Sequence, residues 1–306
     1  FIENETPILV ATKGFGMGID KPNIRYTIHY GIPPSIEAFA QEAGRAGRDG
    51  IDSFCHLLPT LPDASTTGHL LDLATDADTR RVRYEERNAV TTAARSTDID
   101  HQLYFHFNSF KSAQTETAAT RRLFTELWDR ALQTPGASIG VSRSSWPNTG
   151  RSETTAGLRE KALFRLSVLG IVHDYTVQFP RIPGAVDSFE IELDDFDATG
   201  IDNALRSFGT QLEPGRGETL ETEIRGAPDD LAARCRHHVG LLVDILYRTV
   251  EPARIRALDE MYRLASADLD SAAIAARIGA YLGDGLLASS LEATIDELRA
   301  SVPVDA

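Results

Sequence analysis

The sequence predicts an α/β segment at its start, an α+β domain of helices and a hairpin in its middle, and an all-α C-terminal region. Three observations carry this. Residues 8–50 read as apolar run, glycine-rich turn, second β-rich run and helix, with the short connections of α/β proteins. Residues 116–195 hold two stretches of helical periodicity, then two alternating stretches on either side of a turn. Beyond residue 196 the pattern is helical throughout and is punctuated by Pro and Gly.

The chain has 306 residues, 42% hydrophobic and 25% charged, ordinary values for a globular protein. Length and pattern together predict four segments: 1–58, a connector at 59–115, 116–195 and 196–306. No apolar run approaches the roughly 18 residues of a membrane span. The chain starts at Phe1 rather than Met and opens almost in mid-strand, so it is expected to be the C-terminal piece of a longer protein. Its two cysteines, Cys55 and Cys235, are too few for a disulfide framework or a Cys-rich zinc site. A reducing, cytoplasmic setting is expected, nucleoid-associated if the source is bacterial.

The net charge of -14 argues at first against a nucleic-acid partner. Its distribution argues otherwise. Residues 117–186 carry 9 Lys/Arg against 5 Asp/Glu, a net of +4, whereas 187–306 carry 11 against 24, a net of -13. The middle is locally basic, as suits phosphate contact. The acidic tail reads either as a protein-interaction bundle or as an electrostatic guard.

Taken in order, TPILVAT (6–12) reads as a buried strand and Gly14, Gly16 and Gly18 turn the chain. IRYTIHY (24–30) is a second strand, stopped by Pro33 and Pro34. Ser35 caps a helix running to about Arg45 or beyond, Gly50 ends the unit, and SFCHLL (53–58) completes the sheet. In the connector, RRVRYEER reads as a solvated helix face. The aromatics Tyr104, Phe105, Phe107 and Phe110 read as an apolar packing stripe, with base stacking as the alternative.

An amphipathic helix over 116–133 turns Leu123, Phe124, Leu127, Trp128 and Leu132 to one side. Ile139–Val141 is a short strand. A helix from about Thr154 ends at Gly170. It is expected to turn Leu158, Ala162, Leu163, Leu166 and Leu169 inward and Arg159, Lys161 and Arg165 outward. IVHDYTVQF and SFEIEL then form a hairpin around RIPGAVD. Helices followed by such a hairpin make a winged helix. In the tail, helices are expected from Pro228 to Val250, from Glu251-Pro252 to about Ala265, and over about 269–282 and 287–300.

The chemistry concentrates in QEAGRAGRDG. Gln41, Arg45 and Arg48 lie at i, i+4 and i+7, which on one helix face would present an amide and two guanidiniums. Glycines 44 and 47 clear the approach, and the guanidinium fork suits phosphate oxygens. The plain alternative is a surface helix with two solvated arginines. The histidines (His101 and His106, His237 and His238) show no metal-ligand pattern, and no metal site is predicted.

ATKGFGMGIDKPNIRYTIHY followed by QEAGRAGRDG resembles motifs V and VI of superfamily 2 helicases, in the form typical of RecQ-type DNA helicases. The resemblance makes the first segment the C-terminal part of a second RecA-like lobe, and it extends more loosely to the winged helix. It implies an ATP-dependent DNA helicase, moving 3′ to 5′, with ATP and Mg as cofactors and DNA (single strand and fork) as partner. Arg48 matches the γ-phosphate finger, Arg45 its partner and Gln41 a coupling position. Gly18 matches a position near the γ-phosphate, and Asp20 one reaching the ribose or its water. Thr12 matches a DNA-phosphate contact, with Lys13 beside it. In the basic middle, Arg151, Arg159, Lys161 and Arg165 are the candidates for DNA backbone contact. At the hairpin tip, Arg181 could touch phosphate.

The chain departs from the family in three ways. Only Cys55 stands where a four-cysteine zinc subdomain is common, so zinc is not expected. No G-x-x-x-x-G-K-[ST] occurs in the sequence, so this stretch alone is not expected to hydrolyse ATP. The hairpin tip carries no aromatic pin. The alternatives are a winged-helix DNA-binding module with a degenerate motor remnant, and an RNA helicase of the same superfamily.

Overall fold

The structure is a computed structural model that describes residues 5–12, 20–62, 64–90, 97–134, 136, 138–146, 153–179 and 187–283. These residues are helix-rich with two small sheets. None of the described helices is long and apolar enough to cross a membrane. The chain divides into two compact units, residues 1–106 with 254–306, and residues 107–253.

The first unit is built on strand β1 (Tyr26–Tyr30), helix α1 (Ile36–Ala43) and strand β2 (Phe54–Leu58). The strands pair in parallel, Tyr26 opposite Phe54 through Tyr30 opposite Leu58. Parallel pairing demands a crossover, and α1 supplies it. Ser35 opens α1 as expected, its hydroxyl accepting the Ala38 N–H at 3.1 Å. Ile36 and Phe39 bury the inner face of the helix.

The expected strand over 6–12 is not formed. Its described residues pair with no strand, and Ile8 and Val10 are 73% and 92% exposed. A strand that is apolar on both sides needs cover on both sides, and none of the described residues provides it.

Helices α2 (Ala64–Leu71), α3 (Ala77–Val90) and α4 (Asp98–Ser109) occupy the expected connector. It is more than a linker. Leu70, Leu71, Tyr84, Ile99 and Leu103 are buried. RRVRYEER, expected to be solvated, turns Arg80 fully inside, where its guanidinium donates to the carbonyls of Asp72 and Thr75 at 3.0 and 2.7 Å. Asp98 fastens α4 back to the sheet by accepting the N–H groups of Ile32 and Thr60 at 3.2 and 2.7 Å. The aromatic stripe divides: Phe107 and Phe110 are buried, and Tyr104 and Phe105 are exposed.

The second unit holds α5 (Ala113–Gln133), β3 (Ile139–Ser142), α6 (Glu153–Val168), β4 (Val172–Gln178), β5 (Ser188–Leu193), α7 (Ala198–Leu212), a 3₁₀ turn at Pro214–Arg216 and α8 (Gly217–Arg225). Helix α9 (Leu231–Ser266) begins here, and the division between the units falls just after its Pro252. The sheet is antiparallel in the order β3-β5-β4. Gly170 ends α6 with a φ of 69°, the left-handed conformation a helix C-terminus asks of glycine.

One core runs through this unit. Leu123, Phe124 and Leu127 of α5, Leu163 and Leu166 of α6, Phe189 and Ile191 of β5, Leu205 of α7 and Val239 and Leu242 of α9 share it. Segment 116–195 and the start of the acidic tail therefore fold on a common interior, across the boundary expected at residue 196.

The two helices expected on either side of Glu251-Pro252 are one. Val243, Ile245, Ile255 and Leu258 continue a buried stripe through the proline, and that burial outweighs the single backbone hydrogen bond Pro252 removes. Residues 271–283 are again helical. The helix expected over 287–300 lies outside the described residues.

Inside this unit Asp202 receives Arg234 Nε and Nη2, both at 2.8 Å, and His238 Nε2 at 2.8 Å. Burial works to raise the Asp202 carboxyl, but Arg234 and His238 outweigh it and hold it below the usual range. Burial pushes the His238 imidazole down, and Asp202 offsets this only in part. Its Nδ1 finds no hydrogen-bond partner among the described residues, which fits a neutral ring donating through Nε2. An imidazole depressed in the fold binds its proton more readily when unfolded. Its stabilising contribution is thus complete above an unfolded pKa of about 6.5 and shrinks as pH falls toward the folded value. Urea midpoints are expected to be level above about pH 7 and to decline below about pH 6, and the decline should flatten in His238→Gln.

Candidate functional site

Chain geometry brings the residues after α1 against the approach to β1. Helix α1 stops at Ala43, where the Gly44 N–H bonds the Ala40 carbonyl at 2.8 Å. The sequence predicted a longer helix with Gln41, Arg45 and Arg48 on one face. Instead only Gln41 is helical, and both arginines lie in the turn that follows. The reason is local: Gly47 and Gly50 take φ of 68° and 78°, and glycine alone enters that region without strain. The turn closes through Gly50 N–H to Gly47 carbonyl at 2.9 Å, and it docks through Gly47 N–H to Ile24 carbonyl at 3.0 Å.

Gly47 has no room for a side chain. A Cβ there would stand 2.7 Å from Ser53 Oγ and 3.0 Å from the Ile51 carbonyl. Gly47→Ala is expected to cost about 1–2 kcal/mol from handedness alone and to displace Arg48. Hydrogen exchange should show faster amide exchange confined to residues 45–51.

Two ion pairs staple this turn. Arg48 Nη1 meets Asp20 Oδ1 at 2.6 Å, and the next residue, Asp49, pairs with Arg25 just before β1. Arg25 also donates to the Ile51 carbonyl at 3.3 Å, and its own carbonyl accepts the Phe54 N–H at 2.8 Å. The Arg25 hydrogen bond holds the Asp49 carboxyl below the usual range. Sequence reasoning missed the Arg25–Asp49 pair. The available signal was a cation entering a strand and an anion beside Arg48.

The Arg48 and Asp20 side chains are 40% and 80% exposed, so water screens their pair to about 0–1 kcal/mol. Arg45, half-buried, makes no ion pair among the described residues. The turn therefore holds one guanidinium without a carboxylate and one whose carboxylate is weakly held. Phosphate oxygens can accept from such forks bidentately.

Gln41 and Thr12 are exposed. Lys13, Gly18, Arg151 and Arg181 lie outside the described residues, as does the hairpin tip.

The candidates on α6 correct the sequence reading. Arg159 does not point outward. It is fully buried, with Nη2 on Glu126 Oε2 at 3.0 Å, Nη1 on the Ser145 carbonyl at 3.0 Å and its guanidinium 4.2 Å from the Trp146 ring centre. Arg165 is buried against the fully buried Glu116, which also accepts the Lys111 N–H at 2.6 Å. Lys161 donates to the carbonyls of Asn108 and Ser109 at 2.6 and 2.7 Å and lies 3.7 Å from Glu116. All three serve the interior of the unit. Residues 159 and 165 fall at helical spacing from Ala162, Leu163 and Leu169, so the buried face includes them. Among the described side chains, the exposed positions of α6 are Gly157, Glu160 and Phe164, none of them basic.

Residues 1–50 match the model of the helicase conserved C-terminal domain. The chain is 52% identical over 71 residues to the bifunctional 3'-5' exonuclease/ATP-dependent helicase WRN of Mus musculus, covering 23% of this chain and 5% of that protein. It is 52% identical over 64 residues to the RecQ-like DNA helicase blm-1 of Caenorhabditis elegans, 21% and 6% of the two chains. It is 49% identical over 72 residues to the ATP-dependent DNA helicase RecQ of Bacillus subtilis, 24% and 12%. The chain carries a segment similar in sequence to RecQ-type helicases. Within the matched residues 1–50 lie Gln41, Arg45, Arg48, Asp20 and the two staples. The chain thus spans a small part, 5% to 12%, of the curated relatives it matches.

Proposed function

We propose that the protein works as an ATP-dependent DNA helicase of the RecQ type, coupling ATP hydrolysis to unwinding or translocation in the 3′ to 5′ direction. The observation that carries this reading is the glycine-shaped turn, which holds Arg45 and a weakly engaged Arg48 at the end of α1 in a helicase-type sequence. Arg48 donates to the γ-phosphate, Arg45 supports it and Gln41 couples the turn to the rest of the lobe. Asp20 releases Arg48 to the phosphate and is then available to the ribose, with Gly18 alongside. Thr12 and Lys13 lie on the DNA track. A second lobe carrying Walker A and Walker B motifs would hold most of the ATP and its Mg, and the Mg would screen the phosphate charge.

On the same reading the second unit is a winged helix that holds duplex near the fork. Support comes from the β3-β5-β4 sheet beside α5 and α6. Its DNA contacts come from outside the buried Arg159 and Arg165, so replacing those residues should lower stability before it lowers DNA affinity.

The test is strand separation by the full-length protein on matched DNA and RNA forks with ATP. Unwinding of the DNA fork with a 3′ tail is expected. Unwinding of RNA alone would make it an RNA helicase. Binding of forks without unwinding either one would favour a DNA-binding module with a motor remnant.

A further inference from the structure

The second unit carries a feature that ATP-driven unwinding does not use. A cavity of about 820 Å³ opens where the end of α5 meets the start of β3, the end of β5 and the chain leading into α7. Its size is that of a ligand-binding cleft. Its floor is apolar. Trp128 packs against Phe196 with ring centres 6.1 Å apart, and Leu132 beside them is 68% exposed. The sequence placed Leu132 on the buried stripe of α5, yet the structure leaves it uncovered. The Trp128 indole N–H donates to none of the described residues, and a half-buried indole with a free donor suits an incoming acceptor.

The rim has one sign. Glu192, Asp194 and Asp195 line the opening, all exposed, and no Lys or Arg does among the described residues. The His173 imidazole lies 3.8 Å from Asp194 and is largely exposed. Carboxylates around an apolar floor repel phosphate and attract cations, and complementary charge steers a partner while the apolar anchor holds it.

We propose that this cavity docks a short segment of a partner protein in which one aromatic or aliphatic anchor is flanked by lysines or arginines. The anchor fills the space between Trp128, Leu132 and Phe196, and the flanking cations meet Glu192, Asp194 and Asp195. This is independent of the nucleotide site, so a helicase assay does not test it.

The test uses the whole chain and a fluorescein-labelled peptide, Lys-Arg-Phe-Leu-Arg-Lys, followed by anisotropy. A peptide with Glu and Asp at the four charged positions is the control. The basic peptide should bind saturably and the acidic one should not. Leu132→Ser, at an exposed position, and the double change Asp194→Lys/Asp195→Lys should each raise Kd by about tenfold or more. Circular dichroism should show both variants folded. The proposal is overturned if the basic peptide does not bind, or if it binds both variants as it binds the parent. Displacement by a DNA oligonucleotide would instead make the surface a nucleic-acid contact. A dimer that dissolves in Leu132→Ser would make it a self-association face.

Discussion

Replacing Arg48 by alanine in the full-length protein is expected to lower DNA-stimulated ATP hydrolysis by about 10³- to 10⁵-fold, the range that removal of an arginine finger costs in phosphoryl transfer. The loss should fall on kcat, because charge on the transferring group develops in the transition state. Arg48→Lys should recover little, since a lysine is a point charge without the fork. The structure adds a second arm. Asp20 holds Arg48 by a screened surface pair, so Asp20→Asn frees the guanidinium at a stability cost of about 1 kcal/mol or less. Asp20→Asn should therefore leave the protein folded, and its effect on hydrolysis should be far smaller than that of Arg48→Ala. Near-normal ATPase in Arg48→Ala would remove Arg48 from the catalytic group.

The largest stability effect is expected at Glu116. Its carboxylate is fully buried, pairs with Arg165, accepts the Lys111 N–H at 2.6 Å and has the Lys161 ammonium at 3.7 Å. Glu116→Ala strands the Arg165 guanidinium in the core of the second unit. Breaking a buried pair from one side costs about 3–5 kcal/mol, a large share of the 5–15 kcal/mol typical of a domain. Urea unfolding followed by near-ultraviolet circular dichroism should show the loss. Glu116→Met/Arg165→Met should recover part of it, since a well-packed apolar pair replaces a desolvated one. A single-variant loss below about 1 kcal/mol would show that the pair behaves as a solvated one.

Much of the architecture was legible because period and punctuation agreed. β4 and β5 lie where alternation placed them, β2 and β3 where strands were expected, and Ser35 and Gly170 cap the helices they were expected to cap. What escaped was the content of the buried faces. Arg80 was read as solvated, and Arg159 and Arg165 as outward-facing candidates for DNA contact, because charge is usually exposed. Each is buried because a specific acceptor meets it, and those acceptors are carbonyls after α2, or carboxylates ten residues apart on α5. Helical periodicity announces none of these partners, whether close in sequence as for Arg80 or on another helix as for Arg159 and Arg165.

Pro252 misled in the opposite way. It signals a helix start, but a continuous buried stripe carries α9 through it. At the candidate site the residue types were legible and their conformation was not. Spacing suggested one helical face, whereas Gly44 and Gly47 end the helix and set Arg45 and Arg48 on a turn. The Arg25–Asp49 staple had no motif to announce it.

If this turn completes an ATP site, turnover of that site should respond to DNA. The most direct test is phosphate release by the full-length protein with ATP and Mg, with and without single-stranded DNA. The account predicts slow hydrolysis alone and a rise of at least about tenfold, close to 1.4 kcal/mol in the barrier, when DNA is added. Hydrolysis that is absent in both conditions, or equal in both, would contradict it.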